Sequence, residues 1–121
     1  MKLYEVLSEQ IGSKFNISVE YKNSEGKTEI LSSELTLDRF SLETLAYLES
    51  KYNVSMDQLD EVLTKKLVTV GLDMAWFLLK EKNEFNNDIK LFRKAITFEN
   101  LQTLGDALKT AIEKGLPEAK N

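Results

Sequence analysis

The chain contains no histidine and no cysteine. Without cysteine there is neither a disulfide framework nor a thiolate zinc site. Without histidine, the side chain best matched to proton transfer near neutral pH is missing, and so is the commonest transition-metal ligand. Ser-His-Asp and Cys-His activation of a nucleophile are excluded with it. Any catalysis would fall to carboxylates, lysine, tyrosine or serine, so the expectation is a non-enzyme with no catalytic residue, no cofactor and no metal. Five glycines are too few and too scattered for a phosphate cradle. No Walker, dinucleotide-binding, nucleophile-elbow or EF-hand spacing is present.

Charge of one sign is not concentrated. Sixteen basic residues are interleaved with twenty acidic ones, for a net charge of −4. The densest basic step, Lys65-Lys66, has Asp60 and Glu61 close by. A nucleic-acid-binding face needs clustered cations to displace phosphate counterions, so none is expected. Long hydrophobic runs are missing too. The longest, Leu67 to Leu79, is interrupted by Thr69, Gly71 and Asp73, and falls short of the roughly 20 apolar residues that span a bilayer. Charge at Lys2, Glu5 and Glu9 comes too early for a secretion signal, which makes the cytoplasm the expected location. The sequons Asn16-Ile17-Ser18 and Asn53-Val54-Ser55 then carry no meaning.

What is present is enough for one core. The chain has 121 residues, 42% of them apolar and 30% charged, close to globular averages. The expected fold is α+β and mostly helical: an N-terminal β-hairpin packed against a small bundle of four to five helices, in a single domain over 1–121. Residues 1–40 hold a short helix and the hairpin, 41–116 the helices, and 117–121 a frayed tail.

The local pattern supports this division. Leu3, Val6, Leu7 and Ile11 have the spacing of a short amphipathic helix ended by Gly12, although Tyr4 and Val6 would also suit a strand. Phe15, Ile17, Val19 and Tyr21 then alternate with polar residues, which predicts a strand with one buried face. Asn23-Ser24-Glu25-Gly26 provides the turn, and Thr28, Ile30 and Leu31 the return. Leu35, Leu37 and Arg39 fit a third short strand. Ser41 is an N-cap for a helix presenting Leu42, Leu45, Leu48 and Tyr52 on one side. Ser55-Met56-Asp57-Gln58 is an S-x-x-Q capping box opening a long central helix through Leu59, Val62, Leu63, Leu67, Val70, Met74, Phe77 and Leu78. A bend is expected at Gly71, with Asp73 capping it. Lys80 to Asn87 reads as a loop. Asp88 and Thr97 cap the last two helices, and Gly115 then Pro117 end the second.

Candidate site residues are few. Asp57, Asp60 and Glu61 complement the dipole of the helix they open rather than hold a cation. Trp76 and Phe77 point about 100° apart on the central helix and can serve two surfaces, core or partner. Phe85 in a polar loop and Phe92 on a short helix would be partner anchors if exposed. Lys80, Lys82 and Lys90 around them read as a solvated rim. The candidate partner-binding set is therefore Trp76, Phe77, Phe85 and Phe92. The hairpin edges could pair between subunits, with Lys22, Lys27 and Glu29 as the alternative, edge protection; homo-oligomerisation stays open.

From Leu35 onward the order of elements resembles the small tail assembly chaperones of long-tailed bacteriophages. The residues carrying it are Leu37-Asp38-Arg39-Phe40-Ser41-Leu42-Glu43-Thr44-Leu45-Ala46-Tyr47-Leu48-Glu49, the capping box at Ser55, Ala75-Trp76-Phe77-Leu78-Leu79, and Ile96-Thr97-Phe98-Glu99-Asn100-Leu101. The resemblance is one of pattern over about residues 35–117 and does not extend to the hairpin. It implies a protein that binds an amphipathic helical segment of a tape measure protein, keeping it soluble before tail-tube subunits polymerise around it, in the host cytoplasm. It also implies a longer product made by frameshifting near Lys120-Asn121. The competing reading is a small non-enzymatic regulator or inhibitor of a host protein.

Overall fold

Alternating apolar and polar residues pair best as a ladder with one face buried, and the longest such run in the chain folds into a hairpin. In the computed structural model, which describes residues 1–116, strand β1 (Ile11–Lys22) pairs antiparallel with β2 (Thr28–Asp38). Asn23 sets the turn: its side chain accepts from the Glu25 and Lys27 amides at 2.9 and 3.0 Å, and Gly26 takes a φ of 78°. Register brings Phe15 opposite Leu35, and both are buried; Ile17 is buried opposite Ser33. Two expectations change here. Leu35 and Leu37 belong to the far end of β2 and do not form a third strand. The N-terminal helix α1 (Leu3–Ser8) stops early, so Ile11 and Gly12 open β1, with an irregularity in register between Ile11 and Ser13.

The helical part follows its caps. Ser41 accepts from the Thr44 amide to start α2 (Leu42–Tyr52), which Asn53 closes in a left-handed conformation. Gln58 reaches back to the Ser55 amide at 3.0 Å, as the S-x-x-Q spacing predicts. The central segment is not one bent helix. It divides into α3 (Leu59–Lys65), a π-helical turn (Leu67–Gly71) and α4 (Leu72–Leu78). The break falls at Lys66, whose carbonyl accepts from both Val70 and Gly71, and not at Gly71. Asp88 and Thr97 cap α5 (Ile89–Ala95) and α6 (Phe98–Gly115) as expected. Lys80 to Asn87 holds a short 3-10 turn, Lys82–Phe85. The tail expected at 117–121 lies outside the described residues.

One apolar core unites these elements. Helix α6 lies along β1, and its Leu104, Leu108 and Ala111 share one core with Phe15 and Ile17 of the strand and with Met74, Ala75 and Leu78 of α4. The hydroxyl of Ser13 ties β1 to α6 by donating to the Ala107 carbonyl at 2.6 Å. Gly115 is required by contact: a Cβ there would overlap the Phe40 backbone carbonyl. Leu42, expected on the buried side of α2, is 83% exposed; Leu48 is buried as expected, and Thr44 is the other inward residue. No described helix is long and apolar enough to cross a membrane.

Candidate functional site

Two of the four aromatics expected at a partner surface are buried. Phe92 is wholly inaccessible and Phe85 nearly so. Trp76 packs against both, with ring centroids 6.4 Å from Phe85 and 5.6 Å from Phe92, and Phe85 meets Phe92 edge-on at 5.3 Å. Edge-to-face geometry of this kind is favourable beyond area burial, and it makes the cluster a second lobe of the core. The polar residues around Phe85 hid this: the loop folds its one aromatic inward. Phe77 is half-buried and stacks on Tyr47 at 4.7 Å. Lys82 is no free rim charge. Its amine lies over the Trp76 ring and donates to the Leu79 carbonyl at 2.6 Å, at the C-terminus of α4. Burial pushes its pKa down from the ordinary lysine value.

The structure gives Asp73 a role that its sequence position did not suggest. It caps no bend. It is 2% exposed, and its carboxylate accepts from the Tyr47 hydroxyl at 2.9 Å, the Lys51 amine at 2.7 Å and the Tyr52 hydroxyl at 2.5 Å. All three donors sit on α2, so the cluster fastens α2 to α4. Burial alone would raise the Asp73 pKa, but the bonds from Lys51, Tyr52 and Tyr47 outweigh it and hold the carboxyl below its ordinary value. Hydrogen bonding to Asp73, then to Tyr47, raises the Lys51 pKa. Burial, together with the carboxylate, raises those of Tyr47 and Tyr52. The sequence signal was an acid inside an apolar run. Its partners lie more than twenty residues away, where no local pattern points.

Beside this cluster is an open cleft of about 530 Å³ lined by Asp38, Tyr47, Asp73, Trp76, Phe77 and Lys82. Asp38 there is raised by burial against the opposing pull of Lys80, 3.6 Å away. Glu43 also lines the cleft, and Asp73 is already taken by three donors. Among the described residues no group of acids is arranged to hold a metal ion. Asp57 accepts from the Ser55 hydroxyl, and Glu61 pairs with Lys65 one turn on, which accounts for both locally.

One stretch of exposed apolar surface lines a groove elsewhere. Val68 and Leu72, from the π-helical turn and the start of α4, face Ile96, Phe98 and Leu101 across a groove of about 320 Å³, with Arg93 at its rim. Phe98 is 91% exposed, and Val68 more than half. Neither is among the candidate partner-binding residues, although Phe98 lies in a segment that carries the resemblance. Phe98 directly follows the Thr97 cap and stands off the Leu101-Leu104-Leu108 stripe, which was the available signal. Val68 lies in the long apolar run, on the π-helical turn Leu67–Gly71. Set against family models, curated proteins and solved structures, the chain matches none.

Proposed function

We propose that the chain is a tail assembly chaperone of the long-tailed bacteriophage type, acting in the host cytoplasm by protein binding and not by catalysis. Its partner on this reading is an amphipathic helical segment of a tape measure protein. The observation that carries the proposal is the groove between the π-helical turn and the head of α6, where Phe98 and Val68 stand in solvent above Leu72, Ile96 and Leu101. An open, apolar, helix-walled groove suits an amphipathic helix laid along it, with anchor side chains at helical spacing. The segment Ile96–Leu101 that walls the groove is also one of the segments behind the resemblance.

The non-enzymatic part rests on the acids. Asp73 has its lone pairs taken by three donors and is held ionised, which leaves it neither a ready base nor an acid near neutral pH. The test is co-expression with a long helical tape measure segment that is insoluble alone. Wild-type protein should bring it into the soluble fraction, and F98E should not. If the segment stays insoluble beside wild-type protein, or F98E rescues it equally well, the proposal fails.

A further inference from the structure

The two edges of the hairpin differ in what stands along them. β1 runs beside α6, whose Asn100 amide donates to the Ser18 carbonyl at 3.2 Å, and it carries Lys14 and Lys22. Along β2, the covering is partial. Thr36 turns its backbone outward, its N–H donating to the Glu81 carboxylate at 2.6 Å and its C=O accepting from the Lys80 amide at 2.9 Å. Strand alternation puts the backbone groups of Thr28, Ile30, Ser32 and Glu34 on this same edge. No described residue meets them there.

This stretch also lacks the usual safeguards. It carries no proline, no lysine and no bulge. Both of its acids are engaged within the hairpin: the Glu29 carboxylate by the Tyr21 hydroxyl at 2.6 Å and the Asn23 amide at 2.8 Å, and Glu34 by Lys14 at 3.5 Å. The aliphatic side chains here are bare instead: Ile30 is 65% exposed on one face and Leu31 63% on the other.

We propose that a second copy of this chain covers this edge, the two β2 strands pairing antiparallel about a two-fold axis at Leu31 to make a four-stranded sheet. The argument is self-complementarity. Thr28, Ile30, Ser32 and Glu34 are placed symmetrically about Leu31, so this register pairs Thr28 with Glu34 and Ile30 with Ser32 of the other copy. Every open N–H and C=O on the edge then has a partner, and none already used by Lys80 or Glu81 is needed. Leu31 meets its own copy directly on one face, and Ile30 meets its copy diagonally on the other, covering both aliphatics. Charge agrees as well. Glu29 falls opposite Ser33 and Glu34 opposite Thr28, so no like charges face each other. The contact is isologous, and it closes at two subunits.

Leu31 and its copy form a non-hydrogen-bonded pair, in which Cα atoms lie about 4.5 Å apart, inside the range a disulfide spans. Because the native chain has no cysteine, L31C provides one thiol at the proposed axis. Under mild oxidation L31C should convert to a covalent dimer at least tenfold faster than L42C, whose site is also exposed but lies on α2. Sedimentation equilibrium of the wild-type protein should show a monomer–dimer equilibrium. S32P, which removes an outward N–H without touching the β1 ladder, should abolish the dimer while circular dichroism stays native. L31K, which sets two cations face to face, should do the same. A monomer throughout, a dimer indifferent to both S32P and L31K, or cross-linking of L31C no faster than L42C overturns the proposal and leaves the edge to a foreign strand.

Discussion

Replacing Asp73 by asparagine keeps the side-chain shape and removes the charge that Tyr47, Lys51 and Tyr52 share. A hydrogen bond to a charged group contributes about 1.5–3 kcal/mol, and a neutral one about 1 kcal/mol. The two tyrosine bonds, at 2.5 and 2.9 Å, are the ones to count, since Lys51 is half in solvent and can be rehydrated. Weakening both costs about 1–4 kcal/mol, and recovering part of the cost of desolvating the carboxylate brings the expected loss to about 1–3 kcal/mol. Against the entropy of unfolding a chain of this length, that lowers Tm by roughly 5–10 °C. The pH dependence gives a second, independent reading. The folded pKa of Asp73 lies below its unfolded value of about 3.9. Its stabilising contribution is therefore complete above that value and is lost as pH falls through the lower, folded one. The gap between wild type and D73N, measured by urea unfolding, should be constant from pH 7 to near the unfolded value and narrow below it. A loss under about 1 kcal/mol, or a gap that does not narrow in acid, would refute the charged clamp between α2 and α4.

Three further outcomes follow from burial and close contact. F92A opens a hole at the centre of the aromatic cluster and should cost about 3–5 kcal/mol, read by chemical denaturation. F98A, at a site 91% exposed, should change stability by no more than about 0.5 kcal/mol while weakening partner capture in a pull-down, so the two substitutions separate core from surface. G115A should destabilise by about 1–3 kcal/mol, because the new methyl group meets the Phe40 carbonyl and either α6 or the end of the hairpin must shift. A lowered Tm for G115A checks this; a raised one, as helix propensity alone would give, counts against the contact.

What the sequence determined by itself was local. Period-two alternation from Phe15 to Tyr21 and the Asn23–Gly26 turn specified the hairpin, because a two-residue repeat exposes one face and buries the other only in a strand. Ser41, Asp88 and Thr97 marked helix starts because their side chains satisfy amides within the first turn, a matter of three residues. The missing histidine and cysteine narrowed the chemistry before any fold was known. The tertiary structure decided whatever depends on distant neighbours. Whether Phe85 and Phe92 face solvent or each other, whether Asp73 caps its own helix or gathers donors from another, and where the long apolar run breaks are competitions between local preference and packing. The open edge of β2 is of the same kind. Composition and pairing register existed in the sequence, but the tertiary structure decided that residues 79–81 meet the edge at Thr36 and stop short of Thr28 to Glu34.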